Sequence, residues 1–488
     1  MPTTIILQSP ADKPPIILPL IVACALFMEQ LDSTVVATAL PAIARSLGES
    51  PLTLNVAMTS YLLSLAIFIP ASGWLADRFG ARDVFATAIG IFTVSSLLCG
   101  ISQNLPEMVA ARVLQGLGGA MMTPVGRLVL LRTTPKSQLV QALSYVTVPA
   151  LVGPAIGPLV GGFIATYSSW RWIFFINLPI GLIGLVLALR LIPNLREKNP
   201  GPADARGLVL IGLGLGAMAL ALDNVGRGAL PGWAEASLVA AGVICLSLFA
   251  WHARRTPSPA IDLGLLRLPT FRASILGGSI FRIAIGGIPF LLPMMFQLGF
   301  GLTPFQSGSL TFAGAVGALF MKILAPPIVR RFGFRRLLLS NAVICAITLM
   351  MYGFLRPWMP YLLITGLLLV TGFFRSLQFT CINAIGYADI PRERMSRATS
   401  LSSAAQQLSL SIGVALAANL LVLLEPSHAA GSLAPADFLP VFLATGGISL
   451  LAVPFFAALG SDAGQEVSRY AGRPDRRPPR AAPTRGTD

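Results

Sequence analysis

The sequence predicts an all-α membrane protein in which two six-helix bundles flank two inserted helices, giving fourteen transmembrane helices. Three observations predict this class. Of the 488 residues, 55% are hydrophobic and only 11% are charged, which is unusual for a soluble domain. Apolar runs of about 20 residues recur along the chain, and each is long enough to cross ~30 Å of hydrocarbon as a helix. A charged, glycine-containing loop also occurs twice, at matching places in two parts of the chain.

The apolar runs account for most of the chain, and short polar gaps separate them. Glycine and proline fall largely inside the runs, where neighbouring helices tolerate kinks and close contacts. The first run is too long for a signal peptide and carries acids, so we interpret it as a transmembrane helix. The fourteen runs cover approximately residues 16–41, 53–76, 83–102, 106–131, 139–165, 170–193, 207–224, 235–252, 271–298, 306–329, 336–356, 358–384, 398–424 and 438–460.

The formal net charge of +15 raises the question of nucleic-acid binding, and the distribution of the charge answers it. If the N-terminus is cytoplasmic, the cytoplasmic loops and the two termini hold 26 of the 35 Lys and Arg residues, whereas the opposite loops hold four. This alternation follows the positive-inside rule. The basic charge therefore indicates a multi-pass topology with both termini in the cytoplasm, and it disfavours nucleic acid as a partner.

The repeated loop divides the chain. The segment GWLADRFGARD, residues 73–83, follows the second run, and PIVRRFGFRR, residues 327–336, follows the tenth. This offset of eight runs predicts two six-helix halves with runs 7 and 8 inserted between them, and halves of this kind place a substrate site at their interface near the bilayer midplane. The predicted parts are a cytoplasmic N-terminal segment (1–15), a first bundle (16–193), a linker with two extra helices (194–270), a second bundle (271–460) and a disordered cytoplasmic tail (461–488).

Residues that would carry enzyme or metal chemistry are sparse. The five cysteines lie far apart within apolar runs without a CxxC pattern, and the two histidines are isolated. No GxxxxGK[ST] phosphate loop is present. The sequence therefore predicts no enzyme, metal or cofactor, and its short loops leave no room for a receptor's signalling domain. The residues concerned are Cys24, Cys99, Cys245, Cys345, Cys381, His252 and His428.

Four segments, each on its expected run, resemble the major facilitator superfamily. They are the loop at 73–83, LDSTVVATALP (31–41), RVLQGLGGA (112–120), and GPAIGPLVGG followed by WRWIFFINLPIG (153–181). Together they are similar to the fourteen-helix drug:proton antiporters of the EmrB/QacA type, and the resemblance covers nearly the whole chain. Two further stretches, LGESPL…SY…PASGWLAD (47–77) and GGAMM.PVGRL (118–128), are most similar to one multidrug-transporter subgroup of that family.

The resemblance implies a major facilitator fold and a secondary active transporter of the bacterial cytoplasmic (inner) membrane. Such a transporter exports amphipathic drug-like compounds in exchange for protons by alternating access, uses the proton gradient in place of a cofactor, and confers antibiotic resistance. We expect a monomer that contacts the lipid bilayer, protons and a small-molecule substrate.

Asp32, in the middle of the first run, is the first candidate for proton coupling. An ionisable group inside a membrane span costs at least ~2.5–3.5 kcal/mol and marks a functional site by default. Burial also favours the neutral carboxylic acid, which eases proton uptake. Glu29 lies one helical turn earlier, so the two carboxyls are predicted to share a proton or bind a cation; the alternative is that Glu29 has an Arg partner or an exposed position near a water-filled vestibule. The family resemblance adds Arg112, a cation that would stabilise the ionised Asp32 in one conformation only.

Two glycine-containing motifs are predicted to serve conformational change. The first lies at a loop where charged contacts would break when the halves rock, and its residues are Gly73, Asp77, Arg78, Gly80 and Arg82. The second is the family's antiporter motif, where small residues every four positions let another helix approach closely. Its residues are Gly153, Pro154, Gly157, Pro158, Gly161 and Gly162.

Three further polar residues within the runs are candidates for substrate binding. They are Gln115, Arg282 and Arg375. Two buried cations in the second half would attract an anionic substrate, or they would pair with Glu29, Asp32 or Asp223. For this reason the sequence leaves open an alternative in which the protein exports an anionic metabolite, such as an organic acid or a metal chelate, also in exchange for protons.

Overall fold

The computed structural model of the protein describes residues 17–133, 139–196, 204–225, 230–256, 259, 261–391, 394–424, 433–460 and 463–464. The predicted N-terminal segment and nearly all of the predicted tail lie outside the described residues. Within them, every long element is helical, as the composition predicts.

Among the described residues, twelve helical segments are long and apolar enough to cross a membrane, and two further long helices make fourteen. The two are α4 and α5, of which the first carries Glu107, Arg112 and Arg127 along its length. The segments are α1 (Ile17–Leu47), α2 (Pro51–Phe79), α3 (Ala81–Ile101), α4 (Leu105–Thr133), α5 (Leu139–Tyr167), α6 (Trp172–Leu191), α7 (Ala205–Val225), α8 (Gly232–Arg255), α9 (Pro269–Gly299), α10 (Pro304–Phe332), α11 (Phe334–Phe354), α12 (Tyr361–Gly386), α13 (Met395–Leu424) and α14 (Phe438–Ala457).

Helix α9 is the most irregular of these segments. It contains two π-helical stretches, Ala273–Gly277 and Met295–Gly299, on either side of a part that includes Pro293. A proline removes one backbone donor and clashes with the preceding turn, and π-helical turns accommodate such disruptions. Arg282 lies on α9 between these two stretches.

The helices pack at short distance where glycines face a neighbouring backbone. A Cβ at Gly118 of α4 would lie 2.8 Å from the Ala88 carbonyl oxygen of α3, and Gly372 of α12 lies directly against Gly314 of α10. The inserted α7 packs on α8 and contacts both α2 of the first half and α13 of the second. The side-chain amide of Asn419 on α13 donates to the backbone carbonyl of Leu222 on α7. The inserted pair thus bridges the two halves on one side.

Loops that follow even-numbered helices lie at one end of the bundle, here called the Gly80 end, and those that follow odd-numbered helices lie at the Gly48 end. Several described contacts between the halves lie toward the Gly48 end. Gln297 Nε2 of α9 donates to the Thr38 carbonyl oxygen of α1 at 2.7 Å, and the Phe305 amide of α10 donates to Thr166 Oγ1 of α5 at 2.9 Å. The halves are therefore closed against each other at the Gly48 end.

Candidate functional site

A buried ion pair joins α1 to α4 in the interior of the first bundle. Arg112 Nη1 donates to Asp32 Oδ2 at 2.6 Å, and each of the two residues is 1% exposed. The guanidinium also donates from Nε to the Ala57 carbonyl oxygen at 3.2 Å, and its Cζ lies 4.2 Å from the centroid of the Tyr61 ring. The structure thus brings together the acid and the cation that the sequence proposed as partners.

Amide side chains complete the coordination of Asp32. Gln115 lies one turn after Arg112 on α4, and its Nε2 donates to Asp32 Oδ1 at 3.0 Å while its Oε1 accepts from Arg112 at 2.5 Å. Asn177 Nδ2 of α6 donates to Asp32 Oδ1 at 3.2 Å. Ser96 Oγ of α3 accepts from both amides, at 2.8 and 3.3 Å. Because hydrogen bonds and a cation converge on it, the ionised carboxylate is compensated in this conformation.

The sequence interpretation placed Gln115 among substrate-binding candidates, and it missed Ser96 and Asn177 as members of the site. Gln115 lies in this buried network, fully enclosed at 0% exposure. Asn177 belongs to the WRWIFFINLPIG segment, so the available signal was a single amide inside an apolar run. Ser96 carried no signal, because serine is common within membrane helices, where its hydroxyl bonds the preceding turn.

Glu29 has a separate environment from Asp32, although one helical turn separates them on α1. Its Oε2 accepts a hydrogen bond from Thr123 Oγ1 of α4 at 2.7 Å, and the residue is 6% exposed. The described hydrogen bonds of Glu29 include neither Asp32 nor a cationic group. Because α4 runs antiparallel to α1, Thr123, which follows Arg112 on α4, lies nearer the Gly80 end, as Glu29 does relative to Asp32 on α1. Among the described contacts, Glu29 is therefore neither exposed nor hydrogen-bonded to Asp32 or an arginine, and Thr123 is its partner.

The charged loop at the Gly80 end makes its described contacts with the first half and with the start of the segment that follows it. Asp77 pairs with Arg132 of α4 at 2.8 Å, and both side chains are partly exposed. Gly80 has φ of 100°, and a Cβ at this position would overlap the Asn194 side chain, so glycine is required here. Arg82 pairs with its neighbour Asp83 at 2.9 Å. Gly73 and Arg78 are exposed.

The position of the loop bears on the predicted latch. Since α2 and α4 belong to the same bundle, rocking of the halves as rigid bodies leaves the Asp77–Arg132 pair intact. A latch role for the loop therefore requires a contact to the other half that differs from this one, and that role stays a prediction.

The glycine series of α5 packs mainly against α1. A Cβ at Gly153 would lie 3.2 Å from Gln30 Cβ, one at Gly161 would lie 2.6 Å from the Val35 carbonyl oxygen, and Gly157 lies directly against Thr34. Gly162 lies directly against the Pro304 carbonyl of α10, in the other half. Three of the glycines thus hold the first bundle together, and Gly162 holds the two halves together at the Gly48 end.

We expect Gly162→Ala to weaken closure of the Gly48 end, because its methyl group collides with the Pro304 carbonyl and overpacking of this kind costs about 1–3 kcal/mol. In the Gln297→Cys background, labelling of the new cysteine by a maleimide should become faster than without Gly162→Ala. Gly216→Ala on α7 is the matched control, since a Cβ there meets no atom within 4 Å. Equal labelling rates in the two glycine variants would contradict this role.

The two arginines of the second bundle have different surroundings. Arg282 is fully buried, donates from Nη2 to Asn383 Oδ1 of α12 at 2.8 Å, and leaves Nε and Nη1 without a hydrogen-bond partner among the described residues. Arg375 is half-buried, with the Cys345 thiol and the Tyr352 phenol within reach of its charge. The described partners of Glu29 and Asp32 include neither arginine. The side chain of Asp223 lies outside the described residues.

The described helices form a multi-pass membrane protein in which two helical bundles meet at a seam and the first bundle holds a buried charged network. The family model of the Major Facilitator Superfamily matches residues 22–414, so the chain belongs to that family. Its relatives and structural neighbours are transporters, and the protein is not an enzyme.

Curated relatives carry the name "Putative multidrug resistance protein MdtD". The protein of that name from Klebsiella pneumoniae is 40% identical over 452 residues, which are 92% of this chain and 95% of the relative. One from Salmonella paratyphi A is 39% identical over 408 residues, 84% of this chain and 87% of the relative. These matches confirm the multidrug-transporter subgroup that residues 47–77 and 118–128 resemble.

Solved structures of transporters share the fold at low sequence identity. The crystal structure of a D-xylose-proton symporter superposes with a TM-score of 0.65 at 18% identity, covering 90% of this chain and 96% of the other. The crystal structure of the human organic anion transporter MFSD10 superposes with a TM-score of 0.61 at 16% identity, covering 91% of this chain and 100% of the other. At this identity the likeness concerns the fold alone.

Proposed function

We propose that this protein is a proton-coupled efflux transporter that exports amphipathic drug-like compounds by alternating access. The observation that carries the proposal is the fully buried Asp32–Arg112 pair, which lies inside a span and is held by amides from α4 and α6. A buried ion pair adds little to stability when its desolvation cost is counted. A group that must gain and lose a proton explains why such a costly arrangement is kept.

The geometry supports a switch in which protonation and pairing compete. A proton on Asp32 removes the charge that Arg112 compensates and removes one acceptor from the network. The guanidinium then keeps the Ala57 carbonyl and the Tyr61 ring as partners. Movement of α1 relative to α4 becomes easier once the pair is neutralised, and that movement couples the proton to the change between conformations.

Glu29 supports a second step toward the Gly80 end. This carboxyl is buried with one hydroxyl donor, so its neutral acid form costs less than its ionised form in the same surroundings. It lies on the same helix as Asp32, 4.5 Å further along by the rise of about 1.5 Å per residue. In our proposal Glu29 passes protons between Asp32 and the Gly80 end.

In our proposal the protein spans a bacterial inner membrane. The distribution of basic residues supports an orientation in which its Gly80 end faces the cytoplasm. Since the halves close at the Gly48 end, the conformation described is then the inward-facing one. Substrate would enter from the cytoplasm or the inner leaflet and leave after the halves rock, when a proton binds from outside.

An apolar cavity supports an amphipathic substrate. It has a volume of about 580 Å³ and lies where α2 and α13 meet the inserted α7, bordered by Leu63, Phe68 and Met218 with Ser60 and Ser64 as polar points. Drug-sized ligands occupy cavities of ≈300–1,000 Å³ lined mainly by apolar groups. The curated relatives named for multidrug resistance point the same way.

Glu29→Gln tests the second carboxyl. Glutamine keeps an acceptor for Thr123 Oγ1, so the variant should fold like the wild type, whereas proton-linked transport should fall strongly because the group can no longer ionise. Dye uptake into everted vesicles whose interior has been acidified measures this. Glu107→Gln, an exposed acid of α4, is the matched control and should transport normally. Normal transport by Glu29→Gln would remove Glu29 from the pathway.

The transport proposal as a whole is tested in proteoliposomes with an imposed proton gradient and a panel of lipophilic cations and organic anions. We expect at least one compound to accumulate against its gradient and to lose that accumulation when a protonophore is added. Accumulation that survives the protonophore would contradict proton coupling.

A further inference from the structure

The second bundle carries membrane-embedded cations without acids to balance them. Helices α9 to α14 contain no Asp or Glu within their described bounds, yet they include Arg282, Lys322 and Arg375 between their ends. In the first bundle, by contrast, Arg112 is neutralised by Asp32. Uncompensated charge inside a membrane span is costly and marks a functional site by default.

The hydrogen bond of Arg282 sets the direction in which Asn383 presents its amide. A guanidinium has only donors, so the atom of Asn383 that faces it must be the carbonyl oxygen Oδ1, at 2.8 Å. The Asn383 NH₂ group is then directed away from Arg282 as a donor. Asn383 itself is exposed, while Arg282 behind it is fully buried with two unsatisfied nitrogen atoms. Asn383 and Arg282 together therefore present hydrogen-bond donors and positive charge to a ligand on the exposed side of Asn383.

Lys322 extends this donor surface from α10. Its ammonium Nζ donates to Thr380 Oγ1 of α12 at 3.0 Å and keeps further protons free for another acceptor. Thr380 and Asn383 are three residues apart on α12, so their Cβ atoms lie roughly 5–6 Å from each other. The two cationic groups therefore flank one short stretch of α12, on the order of 10 Å apart.

The position of Lys322 on α10 directs its side chain toward the space between the halves. On α10, Gly317 packs against α12 and Gly308 against α5, while Phe320 and Ile323 are exposed to lipid. Lys322 falls between the α12 side and the α5 side, opposite the lipid side, by the 100° per residue of a helix. It also lies in the half of α10 nearer the Gly80 end, away from the closed Gly48 end. Its exposure is therefore to the interior of the transporter.

We propose that Lys322, Asn383 and Arg282 form a binding site for the anionic group of the transported molecule, a carboxylate, sulfonate or phosphate on an apolar body. This inference rests on the proposed transport function and names the class of its substrate as amphipathic anions. The ammonium and the Asn383 amide contact the anion directly, and Arg282 positions that amide and adds positive charge behind it. The acids of the first bundle carry the proton, and the cations of the second bundle carry the substrate charge.

Two dyes with the same xanthene ring system but opposite charge, fluorescein and rhodamine 123, test the charge preference by fluorescence anisotropy on purified protein in detergent. The wild type should bind fluorescein more tightly than rhodamine 123. Lys322→Gln should weaken fluorescein binding by about tenfold or more, as expected for loss of one hydrogen bond to a charged group. Rhodamine 123 binding should stay unchanged or strengthen.

Asn383→Asp is a second variant that tests the site in a protein expected to stay folded. Its new carboxylate gives the buried Arg282 a charged partner. This variant should melt at or above the wild-type temperature and lose fluorescein binding. Arg336→Gln, which removes an exposed cation of the same bundle, is the matched control and should bind like the wild type. Equal binding of the two dyes by the wild type, or unchanged fluorescein binding in both Lys322→Gln and Asn383→Asp, would overturn the proposal.

Phosphatidylglycerol, added to the binding assay, separates a substrate anion from a lipid headgroup. Fluorescein binding that persists assigns the site to the substrate, and competitive displacement would assign it to lipid and overturn the proposal. The outcome is distinct from failure of the transport function. A protein that exports rhodamine 123 in exchange for protons, but ignores fluorescein, keeps the proposed function and loses this inference.

Discussion

Asp32→Asn is expected to abolish proton-linked transport while leaving a folded protein. Asparagine keeps an oxygen acceptor for Gln115 and Asn177, but its NH₂ group then faces the Arg112 guanidinium donor to donor, and it can neither bind nor release a proton. Arg112 retains the Ala57 carbonyl and the Tyr61 ring. In proteoliposomes, flux driven by the proton gradient should fall to the level of protein-free liposomes.

Measuring downhill substrate exchange separates loss of proton coupling from loss of transport as a whole. Substrate-for-substrate exchange across the membrane needs the conformational change without net proton movement, so Asp32→Asn should retain it. The exposed acid replaced in Glu107→Gln should leave both modes unchanged. Full gradient-driven flux in Asp32→Asn would show that another group carries the proton.

Arg112→Gln is expected to lower stability in a way that depends on pH. It leaves Asp32 buried among amides with no cation, and breaking a buried pair costs about 3–5 kcal/mol when the remaining group stays charged. A carboxyl can reduce that cost by taking up a proton. The variant should therefore melt near the wild-type temperature at low pH and progressively below it as pH rises, because the ionised form then has to be buried.

The double variant Asp32→Asn with Arg112→Gln separates the stability effect from the transport effect. Both charges are gone, so its melting temperature should recover and should lose the added pH dependence, while gradient-driven transport stays absent. Thermal melting in detergent across pH measures this. If the double variant melted as low as Arg112→Gln at high pH, the buried charge would not be the cause of the instability.

The helices could be located from the sequence because their cause is local. A run of about 20 apolar residues has to satisfy its backbone hydrogen bonds internally, so its length and position follow from composition. The observed helices extend beyond the runs at several ends; for example, α1 continues from Pro41 to Leu47. Polar residues at these ends lie outside the apolar core, where hydropathy no longer marks the helix.

The candidate site was predicted in part. Asp32 stands out as an acid inside an apolar run, and the family resemblance gave Arg112 as its partner. The amide of Asn177 and the hydroxyls of Ser96 and Thr123 could not be assigned, because their roles depend on how α3, α4 and α6 rotate toward α1. The same limit explains the glycine series of α5: its spacing predicts a close approach, but it does not reveal that α1 is the main neighbour.

The most direct test of the account is whether binding of a transported compound displaces a proton from the purified protein. A compound identified in the proteoliposome panel is added to the protein in lightly buffered detergent solution, and the pH change is recorded with a sensitive indicator. Exchange of proton for substrate predicts proton release by the wild type and none by Asp32→Asn at equal occupancy. Binding without proton release by the wild type would contradict proton-coupled export.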